Sequence, residues 1–441
     1  MLSTKSLTIG VLLTCATASV QAQTAGFTPF DQFVAQLSTT SLSAQAAKPL
    51  SKVSAPAAFE QIRSHLLGLY AGVSVKHSFV LGDHAFDCVP VMQQPSVRQL
   101  GVKVLASPPA IPASSPLLSH PAAGEQAPPQ IDPAQKVDAF GNAMGCEDGT
   151  IPMRRVTLDD VSRFETLGQF LRKGPGAPGT PQRPDPTVQA PALDVHKYSH
   201  SYQYVSALGG TTDINLWNPK VDTSKGEIFS LSQFWYVNTN GPVQTVETGV
   251  QNYPQLYGTN QSVLFIYWTS DGYGNVGCYN LMCPGFIQTN KSVLIGADFQ
   301  NYSTLLGQQY YARLSALNQN GNWWIYLGGT DPANAIGYYP AAVFHGTPIT
   351  QAANIIDYGG EVVGSSTWPQ MGSGSYAQAR FRHAASQKQI SYYPDLSSAV
   401  QANLSVDQPS ISCFTNVTND SSGYNGWNSF FYFGGPGGAG C

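Results

Sequence analysis

The chain has 441 residues and a formal net charge of −4, and only 11% of its residues are charged. An average globular protein carries about 25%, so a set of helices with salt-bridged surfaces is disfavoured and a Gly- and aromatic-rich β fold is expected. Residues 1–193 hold 14 Lys or Arg against 13 Asp or Glu, while residues 194–441 hold 8 against 13; a net-acidic second part argues against a nucleic-acid partner.

In chain order, Met1–Lys5 leads into an apolar stretch, Leu7–Ala18, and then Val20-Gln21-Ala22, with small residues at the −3 and −1 positions of a signal-peptidase site. Residues 1–22 are therefore expected to be a signal peptide and the chain to be secreted. Cys15 follows Thr14 where a lipoprotein signal would want a smaller residue, so no lipid anchor is expected. No later apolar run reaches the roughly 18 residues of a membrane span.

Residues 23–172 read as a small mixed α/β domain. "FDQFVAQL" and "AAFEQIRSHLLGLYAGV" carry apolar residues at three and four spacing, as amphipathic helices do. Residues 106–135 are too rich in Pro and Ala to pack a core and read as an internal linker. A second Pro-rich stretch, 173–193, separates this part from the rest and reads as a processing linker with Lys173 and Arg183 as candidate protease sites.

From residue 194 to 441 the texture is short aromatic and β-branched runs broken by Gly, Asn and Asp: "EIFSLSQFWYV", "SVLFIYWTS", "YYARLSAL", "NWWIYLGG" and "SFFYFGG". Runs of this kind predict an antiparallel β-sandwich, jelly-roll-like, of two packed sheets. Six cysteines remain after the signal, an even count suited to an oxidising compartment. Pairing within each part gives Cys88–Cys146, Cys278–Cys283 and Cys413–Cys441.

Few constellations in this second part can carry chemistry. "GSGS" at Gly372–Ser375 lacks the closing Gly of a nucleophile elbow. His196 and His200 have the i, i+4 spacing of a metal pair, but "HKYSH" lacks the Glu of a metallopeptidase helix, so neither metal nor cofactor is expected. Glutamates are scarce: Glu227, at a turn before a strand, Glu247 and Glu361. Period-two alternation in "VQTVETGVQNYP" puts Val246, Thr248 and Val250 on one face and Glu247, Gly249 and Gln251 on the other, which reads as a cleft floor. Glu361 follows Gly359-Gly360, a pair that could form a bulge and aim its side chain.

Residues 196–441 resemble the neprosin domain of the glutamic peptidases. The likeness runs through "INLWNPKV", "FSLSQFWYV", "VETGVQNYPQLYG", "FIYWTSDGY", "GCYNLMCPGFIQT", "GNWWIYLG", "IGYYPAAVF", "YGGEVV" and "QMGSG", in the family's order. "CEDGTIPMRR" from Cys146 to Arg155 also resembles the end of the plant pro-region, whereas residues 23–140 resemble nothing we can name.

The resemblance implies that Glu247 and Glu361 are the catalytic pair of an endopeptidase cutting after proline at acid pH without metal, made as a zymogen. One carboxylate would activate water and one carboxyl would assist the departing group; repulsion between the two raises one pKa above the reference of about 4.3. Glu247 is the favoured base and Glu361 the favoured acid. Tyr253, Trp268, Tyr273 and Trp323 are candidates for an aromatic proline pocket, and Gln251 and Gln370 for stabilising an oxyanion. The expected partners are proline-containing peptides and proteins and, as an intramolecular inhibitor, the chain's own pro-domain. Two glutamates on a sandwich face also suit a retaining glycosidase, and a non-catalytic carbohydrate-binding sandwich is the third possibility.

Overall fold

The computed structural model describes residues 27–111, 127–173, 195–408, 411–418 and 427–441. The expected signal peptide, the middle of the 106–135 linker and all of the 173–193 linker after Lys173, Arg183 included, lie outside the described residues. Among the described residues no helix is long and apolar enough to cross a membrane.

The N-terminal region contains α1 (Phe30–Thr39), α2 (Leu42–Ala46), α3 (Pro56–Tyr70), β1 (Ser78–Leu81), β2 (His84–Pro90), α4 (Pro95–Gln99), β3 (Thr150–Arg154), α5 (Leu158–Ser162) and α6 (Leu167–Leu171). The two apolar periodicities read from the sequence are α1 and α3, and α3 starts with a proline, whose missing N–H costs nothing in a first turn. A capping box between Thr157 and Asp160 fixes the start of α5. Strands β1, β2 and β3 form an antiparallel sheet, and Cys88–Cys146 ties β2 to the loop before β3.

The second part is a sandwich. Its front sheet has the strand order β18-β4-β14-β6-β7-β8-β9, from β4 (His196–Ala207), β6 (Glu227–Asn238), β7 (Gln244–Asn252), β8 (Val263–Thr269), β9 (Gly277–Tyr279), β14 (Ala353–Gly364) and β18 (Ser405–Asp407). The short helix α7 (Pro254–Tyr257) follows β7. Its back sheet has the order β10-β13-β12-β11-β5-β16-β20-β19, with β17 paired to β16. These are β5 (Gly209–Asn215), β10 (Ile287–Gln288), β11 (Tyr311–Gln319), β12 (Asn322–Leu327), β13 (Ala335–Tyr339), β16 (Ala385–Asp395), β17 (Ser398–Gln401), β19 (Thr415–Thr418) and β20 (Phe431–Gly434). A small pair, β15 (Thr367–Trp368) and β21 (Gly438–Ala439), closes one end. Cys278–Cys283 and Cys413–Cys441 cross-link this part.

Phe234, Tyr236, Val246, Val250, Ile266, Trp268, Trp323, Tyr358 and Phe433 fill the space between the sheets. Full burial of side chains this size stabilises by about 1.5–3 kcal/mol each. The opposite face of the front sheet is not left to solvent. Tyr198, Phe229, Leu231, Trp235, Tyr253 and Tyr267 from that face share one cluster with Phe59, Ile62, Leu66, Phe164 and Phe170 of the N-terminal region.

Polar contacts hold the two parts together around this cluster. Arg163 donates to the Gln255 and Leu256 carbonyls of α7 at 2.7 and 3.2 Å, and Gln255 donates back to the Arg163 carbonyl at 2.6 Å. Arg154 donates to the Tyr257 carbonyl at 3.0 Å. On the far flank the Gln94 side chain donates to the Gln288 carbonyl at 2.7 Å and accepts from its N–H at 2.9 Å. The described end of the first Pro-rich linker also docks: buried Gln130 donates to the Leu294 carbonyl at 2.7 Å and accepts from the Leu294 N–H at 2.8 Å. Composition predicts a stretch unable to pack a core; among its described residues Ala106 and Ile111 nonetheless pack against one apolar cluster and Ala127 against another, with Gln130 as a polar anchor.

Candidate active site

Strand register brings the two glutamates together. Glu361 on β14 lies opposite Leu231 on β6, and Glu247 on β7 lies opposite Trp235 on β6. Between these rows runs a third, His200–Gly359–Gln233–Gly249–Phe265, crossing β4, β14, β6, β7 and β8. Gln233 thus sits between the glutamates with a glycine on each neighbouring strand. Neither glycine can be replaced freely: a Cβ at Gly249 would come 2.0 Å from the Ser232 carbonyl oxygen, and one at Gly359 would come 2.5 Å from the His200 Cα. The pairing of β14 with β6 is continuous from Ile355 to Val363, so Gly359-Gly360 forms no bulge. Gly360 instead faces Met371 and Phe433, leaving no room for a side chain.

Both glutamates are fully buried, and one cation joins them. Lys173, the last described residue before the second linker, places its Nζ 2.5 Å from Glu247 Oε2 and 2.8 Å from Glu361 Oε2, and 5.2 Å from the centre of the Trp235 ring. Linker composition predicts Lys173 as an exposed protease site. It is 1% exposed, because α6 carries it inward: Phe170 packs edge-on to Phe164, which packs edge-on to Tyr253.

Each glutamate also keeps its own partners. Glu247 Oε1 accepts from the Tyr273 hydroxyl and the Thr245 hydroxyl, both at 2.7 Å, and Oε2 accepts from Gln233 Nε2 at 3.1 Å. Tyr273 reaches in from a left-handed backbone at φ 61°, the kind of strain that persists where the surroundings fix a side chain's aim. Glu361 Oε1 lies 2.6 Å from His196 Nδ1. Four residues along β4, His200 lies 2.7 Å from Asp357 and 3.2 Å from Asp407.

Burial alone would discharge these groups, and the ion pairs reverse it. Burial raises the Glu361 pKa, but Lys173 and then His196 outweigh it, and the carboxyl is held below the ordinary range. Burial lowers the Lys173 pKa, and Glu247 and Glu361 together push it above its usual value. Burial and then the Glu247 charge push the Tyr273 phenol well up, so it stays a donor. Against the opposing effect of burial, Asp357 and Asp407 raise His200 to about 9.

The remaining candidates divide. Tyr273 touches Glu247, and Tyr253 packs against Phe229 at 5.2 Å beneath the N-terminal region. Trp268 and Trp323 do not belong to the cleft. Trp268 packs on Tyr339 and Phe344, and Trp323 stacks on Tyr236, all between the sheets. The parity of the pleat decides this: Tyr267, not Trp268, lies opposite Glu247. Gln251 shares the glutamates' face but is engaged by the Tyr279 and Tyr257 hydroxyls at 3.1 and 3.2 Å. Gln370 lines a cleft with Lys220, Asp222, Glu227 and Pro436, without either glutamate. Glu227 accepts from the Asp222 N–H at 2.7 Å, a turn role.

Of the described residues, His77, Cys88 and Glu147 alone gather metal-ligand atoms closely enough to hold an ion, and Cys88 is consumed by its bond to Cys146. Four residues of the site were not singled out from the sequence: Lys173 as a bridging cation, His196 as a glutamate partner, Gln233 and Trp235. Gln233 and Trp235 stand at i and i+2 in β6, the strand paired directly between those that carry the two glutamates, and only the register exposes them.

Residues 226–436 match the family model described as Neprosin. The matched stretch contains Glu247, Glu361, Gln233, Trp235 and Tyr273, and begins downstream of Lys173 and His196.

Proposed function

We propose, from the premise that this chain belongs to the neprosin family of peptidases through residues 226–436, that it is an endopeptidase cutting on the carboxyl side of proline by a water-activating pair, Glu247 and Glu361. The observation that carries this reading is the convergence of those two buried carboxylates on a single ammonium, 2.5 and 2.8 Å away. A site that holds Lys173 Nζ between two oxygens has the size and polarity to hold a water there instead.

In this mechanism Glu247, ionised, takes a proton from that water as its oxygen attacks the scissile carbonyl carbon. Glu361, protonated, gives its proton to the departing amine as the C–N bond breaks. A carboxylic acid and an amine leave, and the proton on Glu247 restores the pair by passing to Glu361. The assignment follows the partners: Glu247 keeps three neutral donors without Lys173, from Tyr273, Thr245 and Gln233, and a carboxylate is an acceptor only. The uncharged aromatic surface of Tyr253 and Phe229 is the candidate proline pocket.

Residues 23–172 act in this reading as a pro-domain and Lys173 as its plug, with the chain exported through the signal peptide and processed in the 173–193 linker. Acid releases the plug. The Glu361 pKa is depressed while Lys173 is docked, so its contribution to docking is complete above the ordinary glutamate value and is lost as pH falls through the lowered one.

The test is to acidify the purified full chain, alongside Glu247→Gln and Glu361→Gln variants processed by an added protease, and supply a proline-containing protein at about pH 3 to 5 with EDTA and serine-protease inhibitors. Cuts after proline that vanish in both variants, read by mass spectrometry, are expected. Equal cutting by folded variants would remove the glutamate pair from the chemistry, and an inert wild type would turn attention to glycosides and carbohydrate binding.

A further inference from the structure

Gln233 is fully buried at the centre of the glutamate site. Its Nε2 donates to Glu247 Oε2 at 3.1 Å, the same oxygen that Lys173 grips. Its other amide atom, Oε1, has no hydrogen-bond partner among the described residues. A buried amide left half satisfied costs about 1–3 kcal/mol, so on a strand face it shares with Phe229, Leu231 and Trp235 it needs a reason.

The surroundings supply one. Gly359 and Gly249 flank Gln233 on both sides, so no side chain stands directly opposite it on either strand. Its backbone is fixed from behind, where Gln387 of the back sheet donates to the Gln233 carbonyl at 2.9 Å. The side chain is held at one place between two carboxylates.

Resting on the peptidase reading above, we propose that Gln233 is a positioning residue that sets the division of labour in the glutamate pair. Its amide N–H holds Glu247 Oε2 as the carboxylate that takes the proton of the attacking water, and Oε1 faces the space the water enters as an acceptor for its second hydrogen. On Glu361 the comparable partner, His196, sits on Oε1, and apart from Lys173 its Oε2 has no partner among the described residues. Once Lys173 leaves, that oxygen is where the shared proton rests. The polarity of the pair is thus built into the sheet, and substrate need not impose it.

The charged and titratable groups facing this position are Glu247 and Tyr273, Glu361 with His196, His200 with Asp357 and Asp407, and Lys173. A variant at residue 233 therefore has to be read through the whole pH profile. Gln233→Leu, Gln233→Asn and Gln233→Glu would be made in the full chain, processed at the linker, checked for thermal unfolding, and assayed for kcat and KM across acid pH beside Glu247→Gln. In Gln233→Leu, kcat is expected to fall about 10- to 100-fold, the rate equivalent of one hydrogen bond to a charged group, with KM little changed. Gln233→Glu separates positioning from packing: protonated, its O–H replaces the amide donor, so activity returns on acidification and fails above the ordinary glutamate range, while Gln233→Leu stays low throughout. Should Gln233→Leu not fold, the pH-dependent recovery of Gln233→Glu against Gln233→Asn carries the same test. Wild-type kcat and pH profile in a folded Gln233→Leu, or Glu and Leu variants that track each other at every pH, overturn the proposal. Activity surviving in Glu247→Gln instead marks failure of the glutamate-pair reading itself.

Discussion

The two faces of the front sheet are buried to a similar degree by different means. Behind it, Val246, Val250, Trp268, Trp323 and Tyr358 interlock with the back sheet. In front, Trp235, Tyr253 and Tyr267 are covered by helices of the N-terminal region, which ends at Lys173. Strand β7 shows the contrast in single residues: Val246 and Val250 point to the core between the sheets, whereas Glu247 and Gln251 point to the face that the N-terminal region covers. A core needs only apolar volume on both sides. The front face carries two carboxylates that no apolar cover could accept, and so the cover brings its own cation.

The largest effect expected from challenging this contrast is on chemistry. Replacing Glu247 or Glu361 with Gln should lower peptide hydrolysis about 10³-fold or more while leaving the unfolding temperature of the sandwich near wild type, since both side chains belong to the front face. Trp323→Ala should do the reverse, lowering stability by about 3–5 kcal/mol in denaturant titrations of full and processed chains alike. Lys173→Met strikes the cover alone. Removing one partner of a buried ionic cluster should cost docking about 3 kcal/mol, read as faster hydrogen exchange over α6 and as release of the processed N-terminal region at a higher pH than in wild type. Arg163→Ala should be mildest, about 1 kcal/mol, because the Gln94–Gln288 pair grips independently on the far flank; a loss as large as that of Lys173→Met would mean that the cover is held chiefly at α7.

The sandwich was legible because its strands are aromatic and β-branched runs of the right length, and Glu247 and Glu361 were legible because glutamate is rare after residue 193 and each sits in a family segment. What escaped was set by register and parity. Trp268 and Tyr267 are adjacent in the sequence and face opposite ways, and only the pairing of β8 with β7 says which one meets Glu247. Gln233 looks like a polar interruption in "FSLSQFWYV" until its cross-strand neighbours prove to be glycines. Lys173 is hidden from composition because it stands at the boundary of the linker: composition marks where order ends, not whether the last ordered side chain points outward.

The anchors of the cover include residues 94, 130, 154, 163 and 173, all on the amino-terminal side of the second linker. A cut anywhere after Lys173 therefore severs connectivity and none of these contacts. What it creates is a bimolecular complex, and the cover, until then held at an unvarying effective concentration, becomes a ligand subject to mass action. Onset of activity should then depend on how far the protein is diluted as well as on whether it has been nicked: concentrated material stays silent after cleavage, and spreading into a larger acidic volume completes the switch.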